Sequence, residues 1–194
     1  MNIRHFIFTM GFLLLITSKT ATASSNNVGV ISQECKESNT SCDVIYISTN
    51  KQRTVLLEDY PFESTVKYHS KHLAEIQSSC GSPCSASIFV DLNNDKIDNI
   101  NMPIAFSKEY LIVAYTDENS LIIKSLFSDK KVALNVDFSP VAVLNNAIEK
   151  IEFISKNAIK LTYLSTSDFV TKTKVFSFNL WIWFSENIET YLRQ

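Results

Sequence analysis

Two cysteines lie four positions apart in the stretch "SSCGSPCSASIFVDL", residues 78–92, just before an apolar run. Cysteines at such short spacing serve thiol–disulfide exchange, metal binding or structural cross-linking. Redox enzymes favour two intervening residues at the start of a helix, where the helix dipole lowers the thiol pKa. Here three residues separate Cys80 from Cys84 and the flanks have strand character. The spacing therefore favours a structural disulfide.

A metal site is the alternative chemistry for this segment. His69 and His72 precede the cysteines, and two imidazoles with two thiolates suit zinc or copper by ligand type. Export favours oxidised thiols, however, and side chains three positions apart on a strand point to opposite faces. We therefore predict no cofactor, and we keep a metal- or redox-handling protein as the second hypothesis. Its ligands would be His69, His72, Cys80 and Cys84.

The cysteine count also predicts cross-links. An even number of cysteines in an exported protein indicates disulfides, and four cysteines allow three pairings. Proximity in the chain favours two local bridges, while a crossed pairing between residues 35–42 and 80–84 stays open. The local bridges are Cys35–Cys42 and Cys80–Cys84.

The first residues have the features of a secretory signal peptide. Arg4 and His5 form a basic start, residues 6–16 are apolar, and an A-x-A cleavage site lies at residues 21–23. The apolar run is shorter than the roughly 20 residues that a membrane-spanning helix needs. We therefore predict a signal peptide at 1–23 and one periplasmic or secreted domain at 24–194, without stable membrane insertion.

Charge and glycine content exclude several function classes. The formal net charge is −2, and it becomes more negative when Arg4 and Lys19 leave with the signal peptide. A mildly acidic domain has no electrostatic footprint for nucleic acid or for an anionic membrane. Only Gly29 and Gly81 remain after cleavage, too few for a phosphate-binding loop or a dinucleotide fingerprint.

The hydrophobic pattern alternates with a period close to two, which is typical of β-strands. A first hairpin is expected over 43–49 and 53–60, and three strand–turn–strand units follow. This spacing predicts an all-β fold, an antiparallel meander of short strands arranged as a sandwich, a barrel or propeller-like blades. A short helix is expected at the C-terminus. The three units span residues 66–100, 109–138 and 148–184.

Polar turns and aromatic residues supply the candidates for partner binding. Asp91, Asn93 and Asp95 have the spacing of the first ligands of a calcium loop, but Lys96 and Met102 replace the glycine and glutamate that such loops need. We therefore interpret this segment as a polar hairpin turn. Exposed tryptophans are typical of binding hot spots. The candidates are Asp91, Asn93, Asn94, Asp95, Trp181 and Trp183.

With its leader, its CGSPC segment and the strand pattern of residues 66–178, the chain resembles the small β-rich proteins that bacteria export as inhibitors. These include immunity proteins against antibacterial effectors and inhibitors of lysozyme. The resemblance implies a periplasmic binding protein that occludes a secreted or periplasmic partner, such as a toxin or a cell-wall hydrolase, through disulfide-stiffened turns. We find no residue with a catalytic pattern, so we do not predict an enzyme.

Overall fold

The computed structural model describes most of the chain after the predicted leader. The two terminal segments lie outside the described residues. Residues 1–27 contain the predicted signal peptide, and residues 181–194 contain Trp181, Trp183 and the predicted helix. Among the described residues, no helix combines the length and the hydropathy needed to cross a membrane. The described ranges are 28–36, 41–61, 64–81, 84–117, 120–138, 144–166 and 168–180.

The structure confirms the all-β, antiparallel prediction: four meandering sheets follow one another along the chain. Sheet 1 contains β1 (Val30–Cys35), β2 (Cys42–Ile47) and β3 (Arg53–Tyr60). Sheet 2 contains β4 (Thr65–Ser70), β5 (Leu73–Gly81), β6 (Cys84–Asp91) and β7 (Lys96–Asn101). Sheet 3 contains β8 (Pro103–Ser107), β9 (Ile112–Asp117), β10 (Ser120–Ser125) and β11 (Lys131–Leu134). Sheet 4 contains β12 (Ile148–Ser155), β13 (Ala158–Leu164) and β14 (Thr171–Ser177).

The sheets pack in chain order because the central strands are apolar on both faces. In β5 and β6, residues at alternate positions face sheet 1, and the residues between them face sheet 3. Ile76 and Ile88 lie opposite each other in the core against sheet 1, whereas Phe89 packs with Val113 in the core against sheet 3. A third core, around Ile123 and Leu161, joins sheets 3 and 4. Burying each such side chain stabilises the fold by about 1.5–3 kcal/mol.

Three local predictions differ from the structure. The segment around the histidines was expected to be a strand, but Lys71 and His72 form a tight turn between β4 and β5. Strands β1 and β8 were not expected, and β8 begins with Pro103. Proline fits this position because the first residue of a strand can dispense with its backbone donor.

A backbone hydrogen bond connects the end of sheet 2 with Gly29, the residue before β1. The Gly29 N–H donates to the Leu92 carbonyl at 2.8 Å. A Cβ at this position would lie 2.4 Å from the Tyr46 hydroxyl oxygen and 2.5 Å from a ring carbon. Because Tyr46 is fully buried, its ring cannot move aside without disturbing the core.

We predict that Gly29→Ala lowers the free energy of unfolding by about 2 kcal/mol, the usual effect of overpacking a close contact. Urea denaturation monitored by circular dichroism measures the change. Ser32→Ala, at a half-buried position of the same strand, serves as the control and should stay within about 0.5 kcal/mol of the parent protein. Equal stability of the two variants would show that the Tyr46 ring has room to shift.

Candidate functional site

The disulfide at the end of β1 is one of the two local bridges predicted from proximity in the chain. Cys35 and Cys42 are bonded at 2.02 Å and lie opposite each other in the β1–β2 register. This bond excludes the crossed pairing for these two residues. Cys84 is also disulfide-bonded, and it lies opposite Gly81 where β5 and β6 meet. The side chain of Cys80, its predicted partner, lies outside the described residues.

The two histidines occupy different environments. His69 lies on β4 and its Nε2 is 2.7 Å from a carboxylate oxygen of Glu75, which is almost fully buried. His72 lies in the turn after β4, and its Nδ1 is buried without a hydrogen-bond partner among the described residues. The structure therefore uses the His69 ring as part of a carboxylate network, and it places His72 in another element.

The turn after β6, where partner-binding residues were predicted, is held by its own carboxylates. Asp91 accepts hydrogen bonds from the backbone of Asn93 and Asn94, each at 3.1 Å. Asp95 instead reaches sheet 1, where it accepts from the Tyr46 hydroxyl at 2.5 Å and from the Thr49 hydroxyl at 2.6 Å. The bonds from Thr49 and Tyr46 hold the pKa of Asp95 below its ordinary value.

These contacts divide the four candidates of this turn by what they present to a partner. The Asp91 carboxylate accepts hydrogen bonds from its own turn, whereas the Asp95 carboxylate accepts them from Tyr46 and Thr49. Asn93 and Asn94 are exposed, and the Asn94 amide donates to Asp91 at 2.8 Å. The side chain of Asn93 is therefore the most available polar group of the turn.

A cleft of about 460 Å³ opens between sheet 2 and sheet 3. Side chains of β4 and β5 form its floor, including Lys67, His69 and Glu75. The opposite wall consists of residues 103–106 of β8, with Lys108 just beyond the strand. We call this feature the β8 cleft.

Glu75 is the polar centre of the β8 cleft. Its carboxylate accepts hydrogen bonds from Ser87 Oγ at 2.7 Å and Gln77 Nε2 at 3.0 Å, and it pairs with His69 Nε2 at 2.7 Å. Burial alone would raise the pKa of Glu75, but the three hydrogen bonds outweigh it and hold the pKa below its ordinary value. The carboxylate is therefore an ionised structural acceptor that orients the His69 ring.

Aromatic contacts fix the wall of the cleft against its floor. The Phe106 ring of β8 lies 4.8 Å from the His69 ring in an edge-to-face arrangement, measured between centroids. The same ring lies 4.9 Å from Phe89, a fully buried residue of β6. Such pairs add about 0.5–1.5 kcal/mol beyond the burial of their area. The position of β8 over sheet 2 is thus set by packing and does not depend on a ligand.

A second cleft, of about 430 Å³, adjoins the first at the disulfide-bonded end of the β5–β6 hairpin. Gln77 and Pro103 border both clefts, and short polar side chains such as Ser78 and Ser85 line the second. The Tyr60 hydroxyl accepts a hydrogen bond from the Ser79 N–H at 2.7 Å, which ties sheet 1 to this hairpin. The two clefts therefore adjoin at Gln77 and Pro103, and strands form their walls.

No protein-family model, curated protein or solved structure matches this chain. The first cleft combines an imidazole that Glu75 orients with two exposed lysines.

Sequence reasoning missed the central residues of this surface. Glu75 carried one signal, since it is an acid between the apolar residues Ala74 and Ile76 of a predicted strand. An acid in such a position requires hydrogen-bond donors when it is buried. Its donors come from neighbouring strands, so they become evident only from the register.

We predict that Glu75→Gln lowers the free energy of unfolding by about 2 kcal/mol at pH 7. The charge-assisted hydrogen bonds are lost, and the NH2 group of the glutamine faces at least one of the donors that now bond to the Glu75 carboxylate. Folding lowers the pKa of Glu75 below its ordinary value of 4.5. The stability that its charge contributes is therefore present above about pH 4.5 and lost as the pH falls below that value. The difference between parent and variant should shrink on acidification.

Urea unfolding between pH 3 and pH 7 tests this pH dependence. Glu58→Gln, at an exposed position of β3, is the matched control and should change stability by less than about 0.5 kcal/mol. If Glu75→Gln behaves like Glu58→Gln at every pH, the Glu75 network does not stabilise the seam between sheets 2 and 3.

Proposed function

We propose that the chain is an exported binding protein of the inhibitor or immunity type, which captures a partner protein on the surface formed by the two clefts. The observation that carries the proposal is the pair of adjoining clefts along sheet 2, one walled by β8 and the other at the disulfide-bonded hairpin end. Binding sites are usually concave and largely formed before the ligand arrives.

Rigidity supports this proposal. The hairpin end is held by the disulfide at Cys84 and by the bonds between Tyr60 and Ser79, while Phe106 anchors the β8 wall. A surface that is ordered before binding loses less conformational entropy in the complex. This is the property that an inhibitor acting by shape requires.

The proposed partner is a secreted or periplasmic protein, such as an antibacterial toxin or a cell-wall hydrolase. Disulfides persist in oxidising compartments, and the Cys35–Cys42 bond is compatible with one. The mildly acidic net charge steers the protein toward a basic partner at long range. Close to the surface, screening over about 8 Å leaves the local charges to decide the contact.

The alternative, a metal- or redox-handling protein, depends on free thiolates beside the histidines. Cys35, Cys42 and Cys84 are all bonded, and His69 is engaged by Glu75. These contacts argue for the binding protein.

We predict no free thiol and no bound zinc or copper in the protein purified from an oxidising compartment. Thiol titration under denaturing, non-reducing conditions and metal analysis of the same sample provide the measurements. Titration of two or more thiols together with one equivalent of metal would replace the binding proposal with the metal-site alternative.

Capture from the periplasmic and extracellular fractions of the native cell tests the proposal itself. We predict one partner in a one-to-one complex, with a dissociation constant that rises about fivefold to tenfold when Cys80 and Cys84 are both replaced by serine, because the hairpin end loses its preorganisation. The matched control removes the other bridge through Cys35→Ser and Cys42→Ser and should leave affinity unchanged. Failure of the parent protein to retain any protein partner contradicts the proposed function.

A further inference from the structure

The β8 cleft runs along the edge of a strand. Side chains of a β-strand alternate between the two faces of its sheet. Nevertheless, the consecutive residues Pro103, Ile104, Ala105 and Phe106 all border the cleft. Four successive residues can do this only where the cleft follows the backbone, so the edge of β8 faces into it.

Among the residues that the structure describes, no strand pairs with this edge. Sheet 3 has the order β11-β10-β9-β8, in which β8 is a terminal strand that pairs with β9 on one side. The outer N–H and C=O groups of a terminal strand form a template for another strand, and several peptide-binding domains use such an edge. In this fold the template lies inside a cleft, where a second strand has both a floor and a wall.

We infer that an extended segment of the partner protein, carrying acidic side chains, adds to β8 as the fifth strand of sheet 3. This inference rests on the proposed function and specifies how the partner is held. Backbone hydrogen bonds to β8 supply the affinity, and the side chains above the floor of sheet 2 supply the selectivity. The five residues of β8 match a segment of about 17 Å at the usual rise per residue.

Charge at the cleft selects an acidic segment. Lys67 and Lys108 are exposed at the cleft, and within the described part of the chain neither takes part in an ion pair. The acid of the floor, Glu75, is shielded by its three hydrogen-bond donors. A carboxylate on the incoming strand therefore meets two free ammonium groups.

The same residues disfavour a second copy of this chain as the occupant. Pairing of two β8 edges would bring the lysines of both copies together, and like charges across an interface oppose association. Pro103 begins the strand, and the register with β9 shifts between Pro103 and Ala105. Prolines, irregular register and nearby lysines are the features by which natural edge strands avoid pairing with one another.

Synthetic peptides test strand addition directly. The probes are acetylated, amidated seven-residue peptides in which valine alternates with glutamate, serine or lysine, each bearing one fluorophore. Anisotropy titrations with the exported protein should show the glutamate peptide binding at least tenfold more tightly than the lysine peptide. N-methylation of alternate amides should abolish binding in one register and spare it in the other, because only one set of amides faces β8.

Charge reversal identifies the site. The double variant Lys67→Glu with Lys108→Glu should bind the glutamate peptide about tenfold more weakly. The matched variant Lys71→Glu with Lys156→Glu changes two exposed turn lysines outside the cleft and should bind like the parent protein. Both double variants should retain the thermal transition of the parent, which separates loss of binding from loss of folding.

The outcomes separate this inference from the proposed function. If the native partner is still captured by the Lys67/Lys108 variant with unchanged affinity, strand addition at β8 is wrong and the binding function stands. Equal affinity for the glutamate and lysine peptides, or indifference to N-methylation in both registers, also overturns the inference. A dimer in light scattering that the same charge reversal strengthens would assign the edge to a second copy and reject the proposed occupant.

Discussion

Each junction between successive sheets combines an apolar core with a carboxylate that contacts a side chain across the junction, and this combination sets the position of each sheet on the next. The cores supply most of the stabilisation, but apolar surfaces alone allow neighbouring sheets to slide. A carboxylate with fixed donors defines one position for the next sheet, because any other position leaves its hydrogen bonds unmade. The contacts that cross the three junctions are Asp95 with Tyr46, Asp98 with Lys124, and Asp137 with Ser165.

The junction between sheets 2 and 3 is different because its polar network extends beyond one contact. Phe89 and Val113 close one part of the seam, whereas Glu75 and its donors occupy the part near β4. Covering an ionised carboxylate with an apolar strand is costly, and the Phe106 ring of β8 packs against His69 and Phe89. The β8 cleft is thus a direct consequence of an ionised residue within an apolar strand pattern.

The sheets themselves could be predicted from the sequence, while the cleft could not. The largely apolar residues of β5 and β6 on either side of the CGSPC segment indicate two strands, and a structural disulfide was expected between them. Strand β1 lacks such a run, since Ile31 is its one buried residue, and β8 is short and begins with proline. The turn at Lys71 and His72 contains no glycine, asparagine or proline, which are residues from which a turn can be predicted. The groups that surround Glu75 come together through strand register, which the local sequence does not contain.

We propose that the edge of β8 is where a partner is held. Amide hydrogen exchange of the exported protein, alone and with its captured partner, tests this claim most directly. We predict that exchange slows on binding at the amides of residues 104–106 that point away from β9, while the exposed amides of the β12–β13 turn are unchanged. Protection of the Asn93–Asn94 turn without any protection of β8 would contradict it.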